Sequence, residues 1–188
     1  NTLGLRASQK GLELACHIAP DVPDALVGDP GRLRQVIVNL VSNAIDHANV
    51  RTDARVVVRV AADPHAVAVT VRDYGVGLHP GQSAMVFNRF WRADPARARS
   101  TGGTGLGLAI SLEDAQLHGG WLQVWGAPDA GAQFRLTVPR RAGDPLAHSP
   151  LPLVPDDAGP ATGGAAANVD APPVPNTSST AHEVGGGR

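Results

Sequence analysis

This chain has little cysteine, almost no lysine and no long apolar run, and two of these shortages exclude a class of protein. The single cysteine, Cys16, rules out a framework of internal disulfides and fits a reducing compartment. No apolar run approaches the roughly 18–20 residues that span a bilayer, and the N-terminus lacks a signal-peptide pattern. The chain as given is therefore expected to be soluble and cytoplasmic, without direct membrane contact.

The charge is too evenly balanced to indicate a strongly charged partner. The 188 residues include 16 basic and 17 acidic side chains, for a net charge of −1. No overall attraction to nucleic acid or anionic lipid is expected. The length allows one domain with a core and a tail, and we expect a monomer.

The composition changes near residue 141. Before that point apolar residues recur at strand or helix spacing, whereas residues 142–188 are mostly Pro, Ala, Gly, Ser and Thr with scattered charges. Without a periodic apolar face, residues 142–188 are predicted to be a disordered tail. A linker to another domain or a partner-binding tail is the alternative. Residues 11–141 form the predicted domain.

Helices and strands mix within that domain. Asp29-Pro30 marks a helix start, with an N-cap aspartate followed by proline, and the helix runs to about His47. Residues 55–60 and 67–72 alternate around a turn at Asp63-Pro64, which predicts a hairpin. Further strands are predicted at 11–18, 25–27, 121–125 and 133–138, a helix-like piece at 85–90 and a helix at 106–117. The pattern predicts an α+β fold, a two-layer α/β sandwich whose mixed, mostly antiparallel sheet has helices on one face.

The first signal of a functional site is a polar stripe on the long helix. Gln35, Asn39, Asn43 and either Asp46 or His47 recur every three or four residues and so share one face. Such a stripe is usually only a solvated face. Two asparagines are less usual in a helix, and a carboxamide oxygen is a suitable ligand for Mg²⁺.

A second signal is Asp73-Tyr74-Gly75-Val76-Gly77, which directly follows a predicted strand. An aspartate at a strand end can accept a hydrogen bond from an exocyclic amine, and glycines let the backbone turn sharply beside a flat ring. Taken alone, a motif this short is more often an ordinary turn.

Two further signals lie in the glycine- and arginine-containing stretch that follows. Glycines at 102–107 run into a helix, whose N-terminus offers N–H groups to phosphates; a glycine-rich hinge is the alternative. Phe87, Phe90 and Trp91 concentrate the scarce aromatic residues, and neighbouring arginines can pair with phosphate oxygens. A small hydrophobic cluster with solvated arginines explains those residues equally well.

The order and spacing of these signals carry more information than any one of them. Asn39-x-x-x-Asn43, Asp73-x-Gly75-x-Gly77, Phe87-x-x-Phe90 and Gly103-x-Gly105-x-Gly107 together resemble the N, G1, F and G2 boxes of histidine kinase catalytic domains. These domains share the Bergerat fold with Hsp90, MutL and DNA gyrase B. The resemblance covers residues 11–139. Most of the motif segments look closest to MtrB-type actinobacterial sensor kinases, partners of OmpR-like response regulators, whereas residues 11–36 resemble hybrid-type kinases, so two subfamilies stay open.

The resemblance implies a role for each matching position. Asn43 coordinates the Mg²⁺ of Mg-ATP, with Asn39 assisting or contacting phosphate, and Asp73 binds the adenine amino group. Arg92 matches the lid arginine that faces the γ-phosphate, so Arg92 and Asn39 are the implied catalytic residues. The implied ATP-binding set is Asn39, Asn43, His47, Asp73, Gly75, Gly77, Phe87, Phe90, Gly103, Thr104, Gly105, Leu106 and Gly107.

Within this set the glycines and the two phenylalanines have different implied roles. Gly75 and Gly77 give the adenine ring its space, and the glycines of the last box with Thr104 close a flexible lid over the phosphates. Phe87 and Phe90 pin that lid to the body of the domain.

Two features of the family comparison bear on mechanism. Hsp90- and MutL-like relatives carry a water-activating glutamate where this chain has Asn39, and an amide cannot take a proton, so slow hydrolysis is expected. Many histidine kinases have a lysine or arginine three residues after Asn43, with an aromatic beside it. Here Asp46 and His47 stand at those positions, which weakens a phosphate contact there, although His47 still suits the adenine edge.

The resemblance implies a kinase domain whose acceptor histidine lies elsewhere. The phosphoacceptor pattern is a histidine followed by an acidic residue in a helical hairpin, and none of the seven histidines lies in that context. Residues 1–10 are therefore interpreted as a linker from an upstream dimerisation domain, in a parent protein anchored in the cell membrane. The expected partners are that histidine-containing domain and, indirectly, a response regulator. The alternatives are a non-catalytic nucleotide-binding module and, less favoured because of Asn39, an Hsp90- or MutL-type ATPase.

Overall fold

The computed structural model describes residues 2–24, 28–48, 53–92 and 104–158. The strand predicted at 25–27 lies outside these ranges. The described elements are, in chain order, α1 (Thr2–Gln9), β1 (Glu13–Ile18), α2 (Pro30–His47), β2 (Arg55–Ala62), β3 (Ala66–Asp73), α3 (Gly107–Leu117), β4 (Trp121–Ala127) and β5 (Gly131–Pro139). No helix within the described ranges is both long and apolar enough to cross a membrane.

The five strands form one mixed sheet in the order β1-β2-β3-β5-β4. β1 pairs with β2 in parallel, and the other three pairings are antiparallel. The predicted hairpin is the β2–β3 pair, in which Val56 lies opposite Asp73. The α+β fold class predicted from the sequence is confirmed.

Helix α2 begins where the sequence predicts, for the reason that the sequence gives. The Asp29 side chain accepts hydrogen bonds from the backbone N–H groups of Gly31 and Arg32, which have no partner within the helix. The apolar face of the helix is buried against the sheet: Val36, Leu40 and Ile45 are fully buried in the core cluster. Burial of this face fixes which side of α2 is left to face the site.

Alternation along the strands gives the sheet a helix-covered inner face and a second, outer face. On β5, Phe134, Leu136 and Val138 belong to the core cluster that α2 shares. Gln133 and Arg135, between them in sequence, point to the opposite face because successive strand residues alternate. Both are nonetheless buried, so something covers the outer face.

The cover is a C-terminal segment, residues 149–157, which we name the C-terminal strap. Arg135 donates to the Leu151 carbonyl (2.6 Å), Gln133 donates to the Leu153 carbonyl (2.9 Å), and Leu153 is buried. The prediction of a disordered tail is therefore wrong for residues 142–158, which the structure places, and residues 159–188 lie outside the description. Sequence periodicity missed the strap because its contacts are made by carbonyl groups and single apolar side chains.

Between β3 and α3, the described residues 74–92 and 104–106 are irregular, as predicted, but the helix-like piece is not a regular helix. Residues 80–90 form successive turns. The Met85 and Val86 N–H groups both bond to the Gln82 carbonyl, and Phe90 has a positive φ of 66°. A non-glycine residue at positive φ ends any helical run, so the helix predicted at 85–90 is corrected to turns.

Candidate functional site

The four sequence motifs meet around one cavity of about 540 Å³. It lies between α2, the end of β3, the turns before residue 92 and the start of α3. Nine predicted site residues line it: Asn39, Asn43, His47, Asp73, Gly77, Arg92, Thr104, Gly105 and Gly107. A second cavity, of about 730 Å³, lies beside Arg32, His118 and Gly143 and borders none of the predicted site residues. We place the site in the smaller cavity because the motifs converge there.

Asn39 joins the first motif to the last. Its side-chain nitrogen donates to the Gly107 carbonyl and to the Ser111 hydroxyl, both at 3.1 Å, and its oxygen accepts from Gln35 at 2.8 Å. The carboxamide therefore fixes the start of α3 against α2. A carboxylate at this position would present acceptors only.

Exchanging Asn39 for aspartate is expected to destabilise the domain before any ligand is added. The variant loses both donated hydrogen bonds and places a charge beside the Gly107 carbonyl, which we expect to lower the free energy of unfolding by about 1–2 kcal/mol. Urea unfolding measures this difference. The control is Asn88→Asp, the same change at an exposed position, and equal midpoints for the two variants would contradict this role for Asn39.

Asp73 is a buried carboxylate at the wall of the cavity. It is 2 % exposed and stands on β3, between β2 and β5. Burial disfavours the charged form and raises the pKa of Asp73 to about 6, against the hydrogen bond that it accepts from the Gly75 N–H (3.0 Å). An acceptor with a perturbed pKa in a cleft is typical of a binding site.

Gly75 and Gly77 are required by the protein's own backbone. A Cβ atom on Gly75 would overlap the His47 carbonyl oxygen at the end of α2. Gly77 has a φ of 69°, and its Cβ would overlap the Ala127 carbonyl oxygen. Only Gly77 lines the cavity, so the structure gives Gly75 a packing role where the resemblance gave it a ring contact.

Of the remaining predicted residues, Phe87 lies where an anchor is expected, whereas Phe90 and Leu106 do not contact the cavity as predicted. Phe87 packs edge to face on Phe134 in the core, with ring centroids 6.2 Å apart, as expected of an anchor. Phe90 is 71 % exposed, so its side chain does not pin this segment; its backbone N–H does, by bonding to the Gly105 carbonyl at 3.0 Å. Leu106 occupies the N-cap position of α3 and Leu108 lines the cavity instead.

The predicted Gly103 lies outside the described residues. The lid that the resemblance implies falls largely on residues 93–103, which also lie outside the described residues. Its two described ends, Arg92 and Thr104, both border the cavity.

Asp46, the departure from the family pattern, has one basic partner on α1 and another directly after it. Arg6 donates to both oxygens of its carboxylate, at 3.0 and 3.3 Å, and the Lys10 ammonium lies 3.4 Å from it. Lys10 also donates to the Ile45 carbonyl at the end of α2 (3.0 Å). The acidic residue thus ties the N-terminal helix to the helix that carries Asn39 and Asn43.

Comparison with known proteins identifies the family of this fold. Residues 28–142, more than half of the chain, match the family described as histidine kinase-, DNA gyrase B- and HSP90-like ATPases. The chain belongs to this ATPase family. Within it, the chain is a histidine kinase ATPase domain of the sensor kinase type, and the resemblance stated from the motifs is confirmed.

Sensor kinases are prominent among the relatives of this ATPase domain. It is 52 % identical over 153 residues to the sensor histidine kinase MtrB of Mycobacterium tuberculosis, covering 81 % of this chain and 26 % of that protein. It is 39 % identical over 147 residues to the sensor protein TorS of Escherichia coli, covering 78 % of this chain and 15 % of TorS. The chain thus spans about a quarter of the length of MtrB.

Solved structures show the same fold. Full-length ShkA in complex with AMPPNP superposes with a TM-score of 0.63 at 30 % identity, covering 78 % of this chain and 29 % of that one. The mycobacterial sensor histidine kinase MprB gives 0.59 at 28 % identity, covering 74 % and 89 %. The family match ends at residue 142. The match to MtrB extends over 153 residues, so even if it begins at the start of the chain it ends within the C-terminal strap or beyond it.

Sequence reasoning missed part of the lining of this cavity. The unanticipated lining residues are Ser42, Val76, Leu78, His79, Gln82, Val86, Trp91, Leu108, Ala132 and Phe134. Ser42 lies next to Asn43, and Leu78, His79 and Gln82 follow Gly77, so closeness to a motif was a signal for these four. Ala132 and Phe134 lie about 60 residues beyond Asp73 in sequence and reach the cavity because β5 pairs with β3.

Proposed function

We propose that this domain binds Mg-ATP in the 540 Å³ cavity and donates its γ-phosphate to a histidine of a dimerisation domain. The observation that supports this is the convergence of Asn39, Asn43 and Asp73 on one cavity beside the start of α3. The response regulator then receives the phosphoryl group from that histidine.

The adenine end of the cavity is assigned to Asp73. Its carboxylate accepts a hydrogen bond from the adenine amino group, and the apolar side chains of Leu78 and Phe134 border the same space. A buried charged acceptor selects strongly for a base that donates there. Guanine carries a carbonyl oxygen at the corresponding position, so ATP is favoured over GTP.

The phosphate end is assigned to the start of α3. Leu106, the N-cap residue, makes no side-chain hydrogen bond to the first N–H groups of the helix, which leaves these groups to phosphate oxygens. Thr104 and Gly105 border the cavity just before this point.

The donor chemistry of α2 fits Mg²⁺. Asn43 borders the cavity one turn beyond Asn39, and a neutral amide oxygen with phosphate oxygens and water is a suitable ligand set. When bound, Mg²⁺ neutralises charge on the phosphates. Arg92 supplies a second positive charge at the γ-phosphate, while a histidine nitrogen attacks phosphorus and the bond to the ADP oxygen breaks.

Asn39 explains why transfer and not hydrolysis is proposed. Its amide cannot accept a proton from water, and its nitrogen is engaged by α3. The direct test adds an isolated dimerisation domain and labelled ATP. Acid-labile label on a histidine of that domain is the expected result; no label from a protein that binds ATP would favour the non-catalytic module, for which Asp46 is the supporting observation.

Adenine-nucleotide affinity is expected to fall as pH decreases through about 6. The ionised carboxylate is the form that ATP prefers, and the pKa of Asp73 is raised to about 6, chiefly by burial. Between pH 7 and pH 5 we expect about a tenfold loss of affinity from this group. Isothermal titration with ADP at each pH measures it.

Asp73→Asn serves as the reference in that titration, because phosphate groups titrate in the same range and the variant keeps that contribution alone. The ratio of the parent and variant affinities should change with pH. A constant ratio would show that Asp73 does not titrate in the binding range.

A further inference from the structure

The C-terminal strap runs along the outer face of the sheet, antiparallel to β5. Thr137 donates to Ser149 (2.9 Å), Arg135 to the Leu151 carbonyl (2.6 Å) and Gln133 to the Leu153 carbonyl (2.9 Å). The strap advances by two residues each time β5 retreats by two. This is a regular docked register and more than a single chance contact.

The strap and the face beneath it have complementary chemistry. Three of the nine strap residues are prolines, which carry no N–H, so the strap presents mainly carbonyl acceptors. The sheet provides the matching side-chain donors, Gln133 and Arg135. Both are buried, and buried donors require hydrogen-bond partners. Leu153 adds an apolar contact with Trp125 and Ala127.

The last residue of the strap reaches the back of the adenine-binding turn. The Tyr74 hydroxyl donates to the Asp157 carboxylate at 2.5 Å, and the Arg72 Nε lies 3.5 Å from its other oxygen. The Arg72 guanidinium lies over the rings of Tyr74 (4.6 Å) and Trp125 (5.1 Å). Asp157 is thus the residue of the strap that touches both neighbours of Asp73 in sequence.

Arg72 connects Asp157 to the backbone around Asp73. Its guanidinium donates to the Asp73 carbonyl (2.9 Å) and to the Ala130 carbonyl (2.7 Å). It is 5 % exposed, and a buried guanidinium depends on its partners for its position. The outer face therefore holds Asp73 from behind while its carboxylate faces the cavity.

We propose that Asp157 is a positioning residue for nucleotide binding, which through Tyr74 and Arg72 fixes the turn that carries Asp73 and Gly75. This inference rests on the proposed function of the cavity. The match to MtrB extends into the strap, although the family match ends at residue 142. The strap thus lies beyond the part of the chain that the family match covers.

The test compares Asp157→Ala with Asp156→Ala in the full chain. Asp156 is a neighbouring exposed carboxylate that faces Arg59 at 3.5 Å and stands apart from the Tyr74–Arg72 pair. Competition against a fluorescent ATP analogue should show ATP bound about fivefold more weakly by Asp157→Ala, and with parent affinity by Asp156→Ala. Equal affinities for the two variants would overturn the proposal.

A double-mutant cycle separates positioning from a general loss of stability. Tyr74→Phe removes the same hydrogen bond from the other side, so Tyr74→Phe with Asp157→Ala should weaken ATP binding no further than Asp157→Ala alone. Effects that multiply in the double variant would mean that the two residues act separately, which contradicts the proposal.

Hydrogen exchange without nucleotide distinguishes this inference from the function on which it rests. The Gly75 amide, bonded to the Asp73 carboxylate, should exchange faster in Asp157→Ala than in the parent and in Asp156→Ala. Unchanged exchange overturns the positioning role. If exchange is faster but neither parent nor variants bind ATP, the assignment of the cavity to ATP fails while the contact from strap to turn stands.

Discussion

Exchanging Asp73 for asparagine is expected to weaken ATP binding about 100-fold, the largest loss of affinity from any single change at this site. The carboxylate is buried, so the hydrogen bond to the adenine amino group is made to a charged acceptor in a dry environment. Asparagine keeps an oxygen that can accept from the Gly75 N–H, which preserves the turn. It also introduces an NH₂ group that opposes the adenine donor.

The same variant makes a second prediction, about base selectivity. An asparagine NH₂ can donate to the carbonyl oxygen of guanine, so the preference for ATP over GTP should shrink in Asp73→Asn. Isothermal titration with both nucleotides measures this change. The control is Asp129→Asn, on an exposed turn and at a positive φ of 58° that asparagine tolerates. If Asp73→Asn bound ATP like this control, the adenine assignment would be wrong.

Exchanging Arg92 for glutamine is expected to reduce phosphoryl transfer to the dimerisation domain by about 1,000-fold. In the proposed role, the Arg92 guanidinium stabilises charge that develops at the γ-phosphate during transfer. The affinity for ATP should therefore change much less than the transfer rate. A single-turnover measurement with labelled ATP gives the rate, and titration gives the affinity.

Arg89→Gln is the matched control for that measurement. Arg89 lies three residues earlier, pairs with Glu113 at 2.6 Å and does not line the cavity. Its loss should leave the transfer rate close to that of the parent. An Arg92 variant that lost affinity and rate in equal proportion would assign Arg92 to substrate binding and remove its proposed catalytic role.

The contacts of Asp46 give the family departure a structural meaning. In place of a basic residue that reaches phosphates, the last turn of α2 carries a carboxylate that binds Arg6 of α1 and Lys10, the residue after α1. The same helix carries Asn39 and Asn43, so Asp46 connects α1 to a helix that borders the cavity. These ion pairs are partly exposed and are expected to contribute little stability.

Most of the fold could be predicted from the sequence because its elements depend on local patterns. Asp29-Pro30 caps α2 through bonds to its own neighbours, and the β2–β3 hairpin follows from two alternating runs around one turn. The motif residues could be predicted from the order and spacing of four short motifs, which together resemble those of histidine kinase catalytic domains, although no single motif identified the site. The prediction of a helix at 85–90 is wrong. Phe90 has a positive φ and its N–H bonds to the Gly105 carbonyl, a contact with a later segment that no local pattern indicates.

The mixed α/β architecture and the order of the motifs follow from the sequence alone. Which motif residues share a cavity, the packing of Gly75 on α2 and the contact of Asn39 with α3 depend on the tertiary structure. It also decided the place of the C-terminal strap, whose proline-rich sequence has no periodicity of its own. The strap is ordered by donors on β5 and by Arg72 and Tyr74, and contacts between distant segments leave no local pattern to read.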